Sequence, residues 1–481
     1  MISLIMNKQF INREGELAFL KTKLEEQTPQ LLIIYGRRRV GKTELLIQFM
    51  RENPNVPSIY FLAGRKRWVE NIRELQNRMA EVVGDSLFAR AEFSDYIELF
   101  CEFSKRYHRQ IVITIDEFPY LHDPTRDIES MFQKIYDEII SKTEIYLILC
   151  GSSIAMMEGL FGYRSPLYGR RTGQWLVEPL GFNDSYKFFP RYDIKDAMAA
   201  YAVLGGIPFH LTLFDDQYKV MENIERTLLN KGSVLYNEPE FLLREELREP
   251  RNYFSILNAI SSGTTKFSEI LNATGMDKGM VSRYLDVLHD LRLIRKSVPV
   301  TLTREKIRNT RYYVADNLFK FWFKFVYPNA GLIESGDVSA LIQMITSQFD
   351  SYTSFAFEDV SKEFLYKIRQ DLPFRFDKIG RWWHKDAEID LVALNEHTRE
   401  IMFVECKWQQ KKAGVKVLKN LMATSELVDW GGSGRREHYC VISKSGLTAS
   451  AEAFAQEKGI ISFDLTDMVR VFGFRSLYPL R

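Results

Sequence analysis

The sequence predicts an α/β fold, and three observations predict it. An apolar run, Leu31-Leu32-Ile33-Ile34-Tyr35, leads directly into Gly36-Arg37-Arg38-Arg39-Val40-Gly41-Lys42-Thr43-Glu44 and then into a helical pattern. Two further apolar runs, 111–115 and 145–150, end in acidic or small polar residues, the pattern of parallel strands buried on both faces. In the last third, strand-like runs around Asp390 and Glu405 announce a second α/β module.

The first of these runs reads G-x-x-x-x-G-K-T between a strand and a helix, which is the context of a phosphate-binding P-loop. Gly36 and Gly41 let the backbone curl, so that N–H groups over Arg37, Arg38, Arg39, Val40 and on to Glu44 face a phosphate. Lys42 supplies a point charge to the outer phosphate oxygens, and Thr43 offers a hydroxyl to Mg²⁺. The run Ile111-Val112-Ile113-Thr114-Ile115-Asp116-Glu117 ends in two carboxylates. Beside a P-loop, Asp116 holds the water shell of the metal and Glu117 polarises an attacking water. The third run, Ile145-Tyr146-Leu147-Ile148-Leu149-Cys150, ends at Gly151-Ser152-Ser153, which puts Ser152 where a γ-phosphate is sensed.

With these motifs in this order, the first half resembles the AAA+ and STAND divisions of P-loop ATPases, and specifically the archaeal-type ATPase family. Phe10-Ile11-Asn12-Arg13-Glu14-Gly15-Glu16-Leu17 is similar to the motif that opens that family, and the basic P-loop is similar to its own. Asp116-Glu117, Gly151-Ser152-Ser153, Pro166-Leu167-Tyr168-Gly169-Arg170-Arg171 and Gly205-Gly206-Ile207-Pro208 add to the match. The resemblance implies ATP and Mg²⁺ as cofactors, with Arg13 bordering the adenine and Pro208 packing on the nucleotide from a helical lid. It also implies that Arg170 or Arg171 reaches a γ-phosphate in cis or in trans. A solvated basic turn is the alternative for these two arginines.

A chain of 481 residues suggests about three domains. Its 46% hydrophobic and 27% charged residues are those of a globular protein. No apolar run approaches the roughly 20 residues of a membrane span, and the first six residues are too short a run for a signal peptide. Four cysteines and seven histidines show neither metal nor disulfide spacing, so a reducing cytoplasm is expected. A net charge of +2 does not by itself argue for nucleic acid.

The chain divides on this reading into an ATPase core at 1–180, a helical lid at 181–248, a winged helix-turn-helix at 249–315, a helical connector at 316–345 and a last α/β domain at 346–481. The winged helix is read from three short amphipathic helical patterns followed by a strand pair. For DNA it offers Lys278, Ser282 and Arg283 on the exposed face of its last helix, and Arg295, Lys296, Lys306 and Arg308 around the wing. Asp277, Asp286 and Asp290 share that helix and weaken its pull on phosphates. The aromatic run 318–328 is dense on all sides and reads as a buried connector rather than a base-stacking platform.

In the last domain, Glu358 lies in a helical stretch, Arg381-Trp382-Trp383-His384 follows, and Asp390 opens one strand while Glu405-x-Lys407 ends the next. Residues two apart on a strand share a face, so two carboxylates and an ammonium meet at one edge. This region resembles the PD-(D/E)XK nuclease-like, restriction-endonuclease-like domain often fused to archaeal-type ATPases. The resemblance implies that Asp390 and Glu405 bind Mg²⁺ or Mn²⁺, that Lys407 orients the attacking water and that Glu358 completes the metal shell. The alternative makes Glu405 and Lys407 an ion pair in a fold without activity. Lys411, Lys412, Lys416, Lys419, Arg435 and Arg436 suit either a phosphate backbone or a solvated face. The whole chain reads as an ATPase whose nucleotide cycle controls a nuclease-like module acting on DNA. The competing reading is an ATP-gated signalling or assembly switch with an inactive C-terminal interaction module. Homo-oligomerisation stays open.

Overall fold

A computed structural model describes residues 10–474 except 161, 164, 248 and 303–308. The chain forms two compact units. The first runs to Pro179 and takes in Ile207–Phe209; the second comprises Leu180–Gly206 and the chain from His210 on.

The first unit is built on a five-stranded parallel sheet in the order β2-β3-β4-β1-β5. Its strands are β1 (Gln30–Tyr35), β2 (Ser58–Leu62), β3 (Ile111–Asp116), β4 (Ile145–Gly151) and β5 (Gly173–Leu176). β1, β3 and β4 are buried throughout because both faces are covered. Leu31, Ile33, Ile113 and Leu147 pack with Phe100, Phe103 and Phe132 on one face. The alternating residues Leu32, Ile34, Val112 and Ile148 pack with Leu45, Leu46 and Phe49 of helix Lys42–Glu52 on the other. That helix therefore starts at the carboxyl edge of the sheet, pointing its N-terminus at the loop from β1.

In the second unit, helices from Phe182 to Glu246 share a core with the aromatic run. Leu318, Phe319, Phe321, Trp322, Phe323, Phe325 and Val326 are all buried, and the Trp322 indole donates to Tyr236 O at 2.6 Å. The run is core, as its pattern predicts. A winged helix follows in the expected order, with helices Arg251–Ser261, Phe267–Thr274 and Lys278–Asp290 and the antiparallel pair β6 (Ile294–Ser297) and β7 (Arg311–Val314). Lys306 and Arg308 lie outside the described residues. One helix, Val338–Lys367, then runs unbroken for 30 residues, so the boundary expected at 345–346 falls inside it. Nothing in that stretch breaks a helix, since it contains neither proline nor glycine.

The last sheet has the order β12-β11-β10-β9-β8, from β8 (Lys378–His384), β9 (Ala387–Asn395), β10 (Glu400–Lys407), β11 (Arg436–Ser443) and β12 (Ile461–Phe463). β8, β9 and β10 form an antiparallel meander; β11 and β12 join β10 in parallel after a helical crossover. Leu391, Ala393, Met402 and Val404 face the long helix through Phe357 and Phe364. Val392, Leu394, Ile401 and Phe403 face helix Val415–Ser425. Among the described residues no helix is long and apolar enough to cross a membrane.

Candidate functional site

The loop between β1 and helix Lys42–Glu52 is shaped by its glycines. Gly36 has φ +153°, and a Cβ there would lie 2.3 Å from Val177 O, so no other residue fits. Gly41, with φ +96°, caps the helix. Lys42 is only 5% exposed, and its ammonium donates to Gly36 O at 2.9 Å, Arg37 O at 3.1 Å and Ser152 Oγ at 2.9 Å. All three of its protons are thus held, while burial pulls its pKa below the usual lysine range.

The acidic strand end reaches this lysine through Ser152, and the next residue, Thr43, directly. Asp116, 1% exposed, accepts at Oδ2 from Thr43 Oγ1 at 2.7 Å and from the Tyr60 hydroxyl of β2 at 2.6 Å. Glu117 stands one residue past the strand with φ 52°, a left-handed conformation that costs a non-glycine residue about 1 kcal/mol. This turn carries its carboxylate to Ser152, whose hydroxyl and backbone N–H both donate to it. Lys42, Ser152 and Glu117 are therefore linked in series, beside the Thr43–Asp116 contact.

The remaining expected residues divide. Pro208 belongs to the first unit and packs on the P-loop, its Cγ 3.8 Å from where a Gly41 Cβ would stand. Arg38 donates to the Tyr120 hydroxyl, Arg39 lies 4.4 Å from the centre of the Phe209 ring, and Glu44 is exposed in the first helical turn. Arg13 is buried and donates to Val40 O at 2.9 Å and Glu178 O at 2.8 Å, tying the P-loop to the segment after β5. The Arg170 guanidinium is fastened to Asp137 and donates to Pro166 O and Tyr168 O; Arg171 is half-buried. Tyr60 escaped sequence reading, because one tyrosine inside an apolar strand carries no motif.

In the second unit, the exposed face of helix Lys278–Asp290 does carry Lys278, Ser282 and Arg283. Among the described residues of the wing, three cations are engaged within the chain. Lys296 pairs with Asp286, Arg295 with Asp359 at 2.9 Å, and Arg311 with Glu388 at 3.0 Å.

β9 and β10 bring Asp390, Glu405 and Lys407 to one edge as their register predicts. Asp390 accepts from the Cys406 N–H at 2.8 Å, and Glu405 forms an ion pair with Lys407. Burial pushes the Asp390 carboxyl up, and burial with repulsion from Asp390 does the same to Glu405. Burial also works against the Lys407 charge, but the two carboxylates outweigh it and raise its pKa. Glu358, 8% exposed in the long helix, is paired with Arg381 of β8 instead of standing free for a metal. Among the described residues, no three His, Cys, Asp or Glu side chains are gathered as a metal-ligand set. The three-carboxylate shell expected from Glu358, Asp390 and Glu405 is therefore not formed: the Arg381 guanidinium lies against Glu358, and burial, only partly offset by that guanidinium, pushes the Glu358 carboxyl up to about 8. Asp390 and Glu405 still make a two-carboxylate oxygen set of the kind hard divalent ions take. Asp359 and Lys320, also charged and close to this cluster, were not distinguished in the sequence from surface charges.

Comparison with known proteins gives three family matches along the chain. Residues 10–214 match the model of an ATPase domain predominantly from Archaea. Residues 254–296 match that of a bacterial regulatory protein of the arsR family, and 322–418 that of archaeal and bacterial proteins of unknown function. The uncharacterized protein MJECL04 of Methanocaldococcus jannaschii is 34% identical over 440 residues, covering 90% of this chain and 95% of its own. A second protein of that organism, the uncharacterized MJ0424, is 36% identical over 98 residues, 19% of this chain and 89% of its own. Among solved structures, the Aeropyrum pernix ORC2 protein aligns over 69% of this chain and 98% of its own with 12% identity and a TM-score of 0.44. The Aeropyrum pernix ORC1 protein in complex with DNA aligns over 69% and 95% with 17% identity and a TM-score of 0.34. By its likeness to MJECL04 over nearly the whole length of both chains, this chain belongs to the same family, and it carries an archaeal ATPase domain, an arsR-type helix-turn-helix segment and a C-terminal region whose function the family leaves open.

Proposed function

We propose that the chain binds ATP with Mg²⁺ at the P-loop, hydrolyses it, and uses the nucleotide cycle to control a nuclease-like C-terminal module acting on DNA. The observation that carries the first part is the Lys42–Ser152–Glu117 series beside Thr43–Asp116. The curled backbone from Arg37 to Glu44 offers N–H groups to the phosphates, and Lys42 transfers its donors from Gly36 O and Arg37 O to phosphate oxygens. Thr43 and Asp116 are hard oxygen donors that suit Mg²⁺, which when bound offsets charge on the β- and γ-phosphates. Glu117 orients the attacking water and Ser152 fixes its carboxylate. Pro208 closes on the loop, Arg13 borders the base, and Arg170 or Arg171 reaches a γ-phosphate in cis or in trans. Free, scattered cysteines agree with a reducing cytoplasm. Calorimetry with ATP on the wild type, Lys42→Ala and Glu117→Gln, followed by phosphate release, tests this. Lys42→Ala should lose most affinity; Glu117→Gln should keep it and lose turnover by a factor of about 10² to 10⁴. Equal ATP affinity in wild type and Lys42→Ala would sink the assignment.

The meeting of Asp390, Glu405 and Lys407 at one sheet edge supports metal-dependent DNA cleavage. When bound at Asp390 and Glu405, a divalent ion would lower the pKa of its water, and Lys407 would orient that water toward a phosphodiester. The wild type and Asp390→Ala should be offered linear, branched and single-stranded DNA with Mg²⁺ or Mn²⁺. Cleavage lost in Asp390→Ala while ATP hydrolysis persists supports the nuclease. No cleavage by the wild type leaves the ATP-gated switch as the reading.

A further inference from the structure

The winged helix is fastened to the acidic cluster, and each fastening lands within two residues of one of its charged members. Arg295 of β6 pairs with Asp359, the neighbour of Glu358. Arg311 of β7 pairs with Glu388, two residues before Asp390, and stands 4.6 Å over the ring of Trp383, two residues after Arg381. The Val300 N–H donates to Arg381 O at 3.0 Å. The Arg381 guanidinium lies 5.2 Å from the centre of the Tyr313 ring of β7 and 5.9 Å from that of Phe355. Its side chain is 15% exposed and faces the buried Glu358 as an ion pair that lacks hydrogen-bond alignment.

We propose that Arg381 is a resident cation, held against Glu358 by the winged-helix residue Tyr313, that competes with a divalent ion for the carboxylate cluster of Glu358, Asp390 and Glu405. The inference rests on the nuclease-like reading of that cluster. Buried carboxylates require a counter-charge, and a guanidinium pinned between an aromatic face and Glu358 supplies one. A divalent ion can recruit Glu358 only if Arg381 swings away, and Arg381 is held by a strand of the helix-turn-helix module. Whatever moves β7 therefore changes metal affinity at β9 and β10 without touching the ligands there. This is the kind of two-state element through which one module biases another.

The test uses nucleotide-free full-length protein and Mn²⁺ alone, read by calorimetry and by the shift in thermal unfolding on adding Mn²⁺. Arg381→Met should bind Mn²⁺ about tenfold tighter or more than wild type, with a larger thermal shift. Adding Glu358→Gln to it should remove that gain. Tyr313→Leu, which leaves the charge pair intact and loosens its clamp, should shift affinity the same way by a smaller factor, and it decides the matter if Arg381→Met does not fold. Mn²⁺ affinity unchanged or weaker in the folded variants overturns the proposal. If the wild type binds through Asp390, as an Asp390→Asn control would show, while Arg381→Met changes nothing, the Arg381 role alone falls. If no variant binds Mn²⁺, the nuclease-like reading falls with it.

Discussion

The two units place similar residues, an acid pair and a lysine, in opposite settings. At the P-loop the lysine is held by two carbonyls and a hydroxyl, and Asp116 by two hydroxyls. At the C-terminal edge the carboxylates are held largely by charge: Glu358 by Arg381 and Glu405 by Lys407. Neutral partners can be exchanged for ligand oxygens at little cost, because each bond lost to the protein is regained on the ligand. A buried ion pair cannot be opened without leaving a charge uncompensated. The first site thus offers an anion partners that exchange at little cost, whereas the second already carries counter-charges of its own in Arg381 and Lys407.

The largest effect should come from breaking the charge pair. Glu358→Leu or Arg381→Met alone should each cost about 3 kcal/mol in urea unfolding, and the double substitution should recover most of it. Single substitutions without cost would erase the contrast between the sites.

Lys320 sharpens the same contrast by pH. Burial, opposed by Asp359, lowers its pKa from 10.5 to about 7, and its ammonium lies 3.8 Å from the centre of the Phe355 ring. A depressed lysine contributes stability that is present above its unfolded pKa and lost as pH falls through the folded one. The advantage of Lys320→Met over wild type should therefore grow as pH falls from about 10 to about 7 and level off below. Denaturant midpoints for both proteins across that range check it, and parallel curves would contradict it.

The smallest effect belongs to the hydroxyl network. Tyr60→Phe removes one of the two donors to Asp116 Oδ2, at about 1 to 2 kcal/mol, with ATP affinity nearly kept and turnover reduced. A loss as large as that of Glu117→Gln would show that Tyr60 does more than hold Asp116.

The P-loop was legible because its parts are local. A strand, two glycines, Lys42 and Thr43 lie within 14 residues, and backbone geometry alone forces them together. Asp116 and Ser152 were legible for a related reason, since parallel strands that end at one edge bring their last residues into one crevice. The edge formed by Asp390, Glu405 and Lys407 followed from the two-residue period of a strand. Only the tertiary structure decided which partner each group takes. Tyr60 reaches Asp116 across 56 residues, Arg13 reaches Glu178 across 165, and Arg295 reaches Asp359 across 64. Arg381 beside Glu358 belongs with them: the expected metal shell omitted it because its pairing depends on how β8 packs against a helix that ends before it, and no local period encodes that contact. Sequence spacing determines which groups share a face; packing between distant segments determines whether a charge on that face meets a metal, a hydroxyl or an arginine.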